Sequence, residues 1–435
     1  MSPSPTSQTA ANPSIAANKP RKLIAIAAVL AALVIAAIVG YILTQSGDRP
    51  LVAKGRKEIV TIAAGGEKSD QRPAIAAGRS HTLALDTEGK VYATGANSKG
   101  QLGLGDKDNR DGFTPISSLE SKKIVAIAAG RFYSLALDAD GKVYGTGEND
   151  VGQLGLGDKD NRDSFTLVSS LEGQKIVAIA AGRFYSLALD ADGKVYGTGE
   201  NDVGQLGLGD KDNRDGFTLV SSLEGKKIVA IAAGESHSLV LSKEGKVYAA
   251  GYNYFGQLGF RNNANRKTWT LVSSLSDKNI TAIEAQFWYS LALDTDGKVY
   301  AAGANYRGQL GLGDKTDRDR FALVKTLEGK KIVAIAAGDF HSLALNENGK
   351  LYATGWNREG QLGLVGDNRN AFELVSSQKN KKIVAIAAGE YHSFAIDENG
   401  KLYAAGSNFS GQLGLGDKAD RNVFTPVILS DRQLK

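Results

Sequence analysis

The chain has no cysteine. Disulfides, thiolate metal sites and cysteine nucleophiles are therefore excluded, while the compartment stays open. Histidine is nearly absent as well, with four in 435 residues. Helical periodicity is missing from everything after residue 65. Charge of one sign is also scarce there. Residues 1–57 hold seven Lys or Arg against Asp48, net +6, so the rest carries −1 of the chain's +5. The pI near 9 therefore belongs to the N-terminal segment. Electrostatic nucleic-acid binding needs clustered positive charge on the binding body, so no nucleic-acid partner is expected.

The N-terminal segment divides into a disordered tail (1–22), an apolar run (23–43) and a basic linker (44–57). Leu23–Leu43 is apolar or small throughout, and its roughly 21 residues suffice to cross a ~30 Å hydrocarbon core as a helix. A secretory signal has a shorter apolar stretch and a short leader. An uncleaved single-pass anchor is thus expected, with cleavage after Ser46 as the alternative. Lys19, Arg21 and Lys22 abut the run and favour a cytoplasmic N-terminus with the rest outside. Arg49, Lys54, Arg56 and Lys57 on the far side count against that orientation.

What is present from there on is one unit written seven times. Its landmark, Ala-Ala-Gly-x-x-(His/Tyr)-(Ser/Thr), is anchored at Gly78, Gly130, Gly182, Gly234, Gln286, Gly338 and Gly389, 52 residues apart except for a last step of 51. Periods of this length signal propellers or solenoids. In the copy 175–224, Lys175–Ala181 reads as a strand, Gly182-Arg-Phe as a turn and Tyr185–Asp190 as a second strand. Asp190-Ala-Asp-Gly193 reads as a hairpin turn. A third strand starts at Lys194, and a long Gly-rich loop leads to a fourth at Phe217. Four antiparallel strands per unit, seven times over, give an all-β, seven-bladed propeller spanning 58–435. The copies starting at Gly130 and Gly182 differ only at Ser164/Gly216 and Gln174/Lys226, so neighbouring blades must pack interchangeably.

Gly-x-x-His-Ser-Leu-Ala-Leu followed by Gly-Lys-Val-Tyr-x-x-Gly-x-Asn-x-x-Gly-Gln-Leu-Gly-Leu-Gly-Asp resembles the regulator of chromosome condensation repeat. The resemblance recurs in every copy. It implies a propeller closed by pairing of the two chain ends, with Glu58–Ala64, a copy of a first strand, as the closing segment. It also implies that the His or Tyr of each landmark bonds neighbouring backbone inside its blade.

All four histidines (His81, His237, His341, His392) occupy that one position, and Tyr133, Tyr185 and Tyr289 fill it elsewhere. His341, His392 and His81 fall in consecutive blades and superficially suggest a three-histidine metal site. Equivalent positions in a sevenfold ring lie too far apart for ~2.0–2.1 Å bonds to one ion. The Asp-x-Asp-Gly turns (138–141, 190–193, 294–297) and Asp-Lys-Asp-Asn-Arg-Asp loops (106–111, 158–163, 210–215) evoke calcium loops. They lack the full ligand series and its terminal Glu. Turn chemistry explains the first group. Adjacent His-Ser pairs on a strand point to opposite faces, and the sialidase Asp box is absent. No enzyme activity, metal or cofactor is expected.

Antiparallel order puts the turn after each first strand and the loop after each third strand on one face, here called the top. The residues that vary between copies lie there. After the anchors come Arg79-Ser80, Arg131-Phe132, Arg183-Phe184, Glu235-Ser236, Phe287-Trp288, Asp339-Phe340 and Glu390-Tyr391. The loops add Tyr254, Phe255, Tyr306, Trp356, Arg358 and Phe409. Blades 1–3 offer Arg and blades 4, 6 and 7 offer acids, so the face is electrically two-sided. Aromatics ringed by charge suit a protein–protein hot spot. The expected function is a monomeric, membrane-tethered propeller that binds a protein or peptide on a top face turned away from the bilayer. Two alternatives remain: nucleotide exchange on a small GTPase, which the family resemblance raises, and inhibition of an enzyme. Even spacing leaves no room for the inserted β-wedge of exchange factors, and the Gly-Trp-Arg-His-Thr repeats of the family's plant photoreceptors do not appear. Gln286 stands where six copies have Gly. If the position were left-handed, Gln286→Gly would stabilise the fold by roughly 1–2 kcal/mol.

Overall fold

The computed structural model describes residues 74–428. The tail, apolar run and basic linker assigned above lie outside the described residues. Among the described residues no helix is long and apolar enough to cross a membrane.

Seven four-stranded antiparallel sheets follow one another in strict sequence order. They occupy 74–115, 124–167, 176–219, 228–271, 280–323, 332–374 and 383–426, referred to as blades 1 to 7. Within a blade the strands run outward from the axis in chain order. In blade 3 the inner strand Ile176–Ala181 pairs with Tyr185–Asp190, then Val195–Gly199, then Arg214–Leu219. A short 3-10 turn such as Ser221–Leu223, not foreseen from sequence, joins the outer strand to the next blade. The Asp-x-Asp-Gly segments are turns, as expected. Asp138 Oδ1 accepts from the backbone N–H of Asp140 and Lys142, Tyr144 donates to Oδ2, and Gly141 supplies the positive φ of 83°.

There is no single core. Seven apolar clusters each lie between two consecutive blades, one of them joining Ile75, Ala84 and Phe113 of blade 1 to Phe394, Leu402 and Leu413 of blade 7. Strand two is therefore buried on both faces: Tyr133–Asp138 is buried at every position. The ring does not close by sharing a blade between the chain ends. Blade 1 takes its inner strand from Ala74–Ala77, and blade 7 draws all four of its strands from its own repeat. Glu58–Ala64, expected as the closing segment, lies outside the described residues. Closure rests on contacts of the same kind as every other junction.

Those contacts explain the landmark. His81 Nε2 bonds Ser134 Oγ (3.0 Å), His237 bonds Ser290 (3.0 Å), His341 bonds Ser393 (2.7 Å) and His392 bonds Thr82 (3.1 Å). Each link reaches the next blade; the expected bond within a blade does not form. Tyr133, Tyr185 and Tyr289 donate instead to the carbonyl oxygens of Tyr185, His237 and His341. The Ser or Thr hydroxyl spends its one proton on a third group; Ser134 donates to the Gln101 carbonyl at 2.8 Å. It can only accept from histidine. The ring is thus the neutral Nε2–H tautomer, and Nδ1 has no partner among the described residues.

Glycine shapes the same junctions on the outer side. The Phe or Trp of each outer strand lies on a loop glycine of the preceding blade. A Cβ on Gly103 would stand 2.5 Å from Phe165 Cδ2, at a φ of +67° that L residues rarely adopt. We expect Gly103→Ala to destabilise the fold by about 2–4 kcal/mol, measured by chemical denaturation, with the strand content of the native state unchanged.

Burial sets the acid stability. It lowers the pKa of His81 to about 4 and of His237, His341 and His392 to about 3. The unfolded chain then binds more protons than the native state below about pH 6.5, so stability falls as pH drops from there toward 3. Each histidine contributes up to about 1.4 kcal/mol per pH unit in that window. His237→Tyr, which installs the residue used in blades 2, 3 and 5, should flatten this acid limb. Denaturation midpoints between pH 4 and 7 read the difference.

Candidate functional site

The turns after the inner strands converge on the axis, and every blade contributes to the depression they form. Its lining includes Arg79, Arg131 and Arg183 from blades 1–3, Glu235 from blade 4, and Gln286 with Phe287 from blade 5. Asp339 and Glu390 come from blades 6 and 7. The face is two-sided in charge, as the sequence indicated. At the two places where the sign changes, neighbours pair: Arg79 Nε with Glu390 Oε2 at 2.7 Å, and Arg183 with Glu235. Arg131, in the middle of the basic arc, has no carboxylate partner among the described residues, and its Nε bonds nothing. Desolvation and the neighbouring Arg183 and Arg79 weaken its hold on its proton. Asp339 shows the converse. Desolvation, then Glu390 and Glu235, push its carboxyl well above the usual range.

The aromatic candidates separate into two groups. Phe132 and Phe184 are interleaved with the arginines. Arg79 and Arg131 lie 5.5 and 5.3 Å from the Phe132 centroid, and Arg131 and Arg183 lie 5.8 and 4.9 Å from that of Phe184. These rings are half-buried and support the basic arc through cation–π contact. The others, Phe409 excepted, form one connected arc over blades 4–7. Tyr254 meets Phe255 at 5.1 Å, Phe255 stacks on Trp288 at 4.7 Å, and Trp288 lies 4.0 Å from Phe287. Phe287 contacts Phe340 at 4.8 Å, which in turn touches Tyr306, Trp356 and Tyr391 at 6.3, 6.4 and 5.5 Å. Turn and loop residues thus share one face.

Sequence reasoning missed two members. Tyr252 stacks on Tyr254 at 6.4 Å, and the Arg307 guanidinium sits 3.8 Å above the Trp356 ring. Both flank residues already singled out, so the varying loop positions were the available signal. Two candidates fall outside the arc. Phe409 is 61 % exposed and makes no ring contact among the described residues. Arg358 lines a separate outer groove with Arg307, Lys315, Trp356 and Asp367.

Blade 5 departs most from the repeat, and the expected reason for its anchor does not hold. None of the six anchor glycines has positive φ. They are glycine because a Cβ on Gly78 would lie 2.5 Å from His81 Cε1 and 2.6 Å from the Gly130 carbonyl oxygen. Gln286→Gly therefore loses its expected basis for stabilisation. With Gln286 in place, the inner strand Ile280–Gln286 is one residue longer than the usual six. The next residue, Phe287, takes φ 36°. A non-glycine residue held there is strained, by about 1–3 kcal/mol, at the centre of the aromatic arc.

Comparison with known proteins gives a consistent result. A sequence model of the RCC1-like domain matches residues 197–435. Two models of the regulator of chromosome condensation (RCC1) repeat match 88–137 and 140–189, and 74–101, 124–153 and 176–205. The chain is 32% identical over 357 residues to the ultraviolet-B receptor UVR8 of Arabidopsis thaliana, covering 81% of each. It is 33% identical over 332 residues to the E3 ubiquitin-protein ligase HERC2 of Homo sapiens, a match spanning 74% of this chain and 7% of that protein. Among solved structures, yeast RCC1 (Prp20), determined bound to Kap60, superposes with a TM-score of 0.71 at 24% identity, covering 89% of this chain and 92% of that one. Human WBSCR16 gives 0.71 at 22%, covering 78% and 94%. At these identities the superpositions establish the fold.

Glu284 lies two residues before Gln286, on the same face of the strand. The equivalents are Ala76, Ala128, Ala180, Ala232, Ala336 and Ala387. Its carboxyl has no polar partner among the described residues, and burial pushes its pKa up to about 8. A carboxyl raised in the fold lends stability below its unfolded pKa, and this is lost as pH rises through the folded value. Glu284→Ala should therefore stabilise the protein increasingly from about pH 5 upward, reaching about 1–3 kcal/mol at pH 9. Urea midpoints across that range check it.

Proposed function

Since the chain belongs to the RCC1 repeat family, we propose that its propeller is a protein- or peptide-binding platform and that the top face is where the partner docks. One observation carries this reading: a connected arc of aromatic rings from Tyr254 to Tyr391 crosses four blades beside a charge-divided axial depression. Solvent-facing rings of this kind, with Tyr254 64 % exposed, are the residues that dominate binding energy at interfaces. The strained φ of Phe287 agrees with a binding role, because strain of this kind clusters at functional sites. Relatives support it too: yeast RCC1 (Prp20) has been solved bound to Kap60.

In this proposal Leu23–Leu43 tethers the propeller to a membrane. The chain enters blade 1 at the start of an inner strand, on the side opposite the top, so the binding face points away from the bilayer. Nucleotide exchange fits less well. The described strands form seven blades of four, with no inserted hairpin among the described residues. The ligase activity in the name HERC2 belongs to a protein of which the match covers 7%.

The test is affinity capture with the full chain in detergent, alongside a Trp288→Ala/Phe340→Ala/Tyr391→Ala variant. The variant should lose its captured partner by at least tenfold while its denaturation midpoint stays close to that of the parent. Unchanged capture sinks the platform.

A further inference from the structure

The axial depression contains a cation without a counterion, and the order of the blades shows what it faces. Blade 2 lies across the axis from the junction of blades 5 and 6. Arg131 therefore faces Gln286 and Asp339. Its like-charged neighbours are both occupied, Arg79 by Glu390 and Arg183 by Glu235. Its own Nε is buried and bonds nothing. Gln286, a glycine in the six other copies, adds an amide whose side chain has no partner among the described residues. We infer that this depression is a receptor for a single carboxylate, held by the Arg131 guanidinium and by donors from Gln286 and Asp339. The inference rests on reading the top face as a binding surface and names the chemistry that its centre accepts.

Charge selects the ligand. With both sign-boundary pairs neutralised and Asp339 protonated, the depression carries one net positive charge. A cation would meet Arg131 unscreened. A phosphate dianion would carry more negative charge than the one free guanidinium balances, with Glu235 and Glu390 on either flank. A planar monoanion matches one guanidinium in bidentate fashion. Asp339 joins as a donor in its protonated form, which burial, then Glu390 and Glu235, favour and which Arg79 and Arg131 oppose. Tyr289, Tyr306 and Tyr391 also sense the Asp339 charge, and none of these hydroxyls ionises near neutral pH. A bound carboxylate strengthens the hold on that proton. Binding therefore takes up protons, and affinity falls as pH rises through the titration of Asp339. The flanking arc from Phe287 to Tyr391 supplies apolar contact for the residues on either side of the carboxylate.

The carboxylate can belong to an acidic side chain or to a chain terminus, and two probes separate these. The full chain is titrated by calorimetry with acetyl-Leu-Leu-Asp-Leu-Leu-amide and with acetyl-Leu-Leu-Leu-Leu bearing a free C-terminus. The Asn amide and the C-terminal amide serve as controls. At least one acid should bind about tenfold or more tightly than its control, and the one that does identifies the source. Arg131→Gln should remove that advantage while leaving the denaturation midpoint of the unliganded protein close to that of the parent, since the lost cation–π contacts with Phe132 and Phe184 are offset by removal of a half-buried, unpaired charge. Asp339→Asn should keep the affinity and abolish its fall with pH. Equal affinity for acid and control, no binding of either acid at millimolar concentration, or undiminished binding by Arg131→Gln each overturns the inference. If Arg131→Gln keeps carboxylate affinity while the aromatic triple variant loses its captured partner, the platform stands and this pocket does not. If the triple variant keeps its partner while Arg131→Gln loses the acid peptide, the reverse holds.

Discussion

The buried link from the His or Tyr of one blade to the next blade is the constraint on which the rest depends. It runs from strand two, which is covered on both faces, to a Ser or Thr hydroxyl or a carbonyl oxygen one repeat further on. Leaving such a donor unmet in the interior would cost about 1–3 kcal/mol. The link also forces the glycine before it, since a side chain on Gly78 would overlap the His81 ring. The same bond, from His392 to Thr82, joins the last blade to the first. A ring closed this way has no special seam. Its stability is a sum over like neighbours, as in other repeat proteins, with both ends capped by each other.

A uniform ring has a further consequence for charge. Seven equivalent positions surround the axis, and only adjacent ones can pair. If three consecutive blades carry Arg and acids occupy blades 4, 6 and 7, the sign changes at just two junctions where charges are adjacent. Those junctions hold the two ion pairs of the depression, Arg79–Glu390 and Arg183–Glu235. The charges furthest from a boundary, Arg131 and Asp339, are left over by geometry alone. Alternating signs would have satisfied nearly every group. The block pattern leaves Arg131 and Asp339 without an ion-pair partner among the described residues.

Much of this was legible because repetition averages out local ambiguity. The strand at Ile176–Ala181, the turn at Gly193 and the shared face of Phe255 and Trp288 all follow from pattern and antiparallel order. Other features were hidden for a common reason: their cause sits one repeat away. The anchor glycines looked like left-handed turn residues, but what they avoid is the ring three residues on and the carbonyl of the next blade. The histidine bond was assigned within a blade because sequence shows spacing and not which neighbour is met. That Ala74–Ala77 forms the inner strand of blade 1 was equally hidden, because Glu58–Ala64, outside the described residues, copies an inner strand more fully. Tyr252 and Arg307 escaped notice because their importance lies in ring contacts made across loops.

Blade 5 brings these threads together. Within five residues it replaces an alanine by Glu284, a glycine by Gln286 and ordinary backbone by the positive φ of Phe287. Each change works against stability, through a carboxyl held protonated to about pH 8, a side chain where six copies have none, and strain. The blade still keeps its link, since Tyr289 bonds the Gly338 and His341 carbonyls and Ser342 at 2.6–2.9 Å. Nearest-neighbour architecture makes this tolerable: the five junctions that do not involve blade 5 are regular, so the defects of one blade stay local. Blades 2 and 3, almost identical to each other, show what the ring looks like where nothing distinguishes neighbouring copies. Blade 5 lies across the axis from the junction of blades 1 and 2, beside Asp339 and beneath the aromatic arc, so its exceptions are concentrated where the top face departs furthest from repetition.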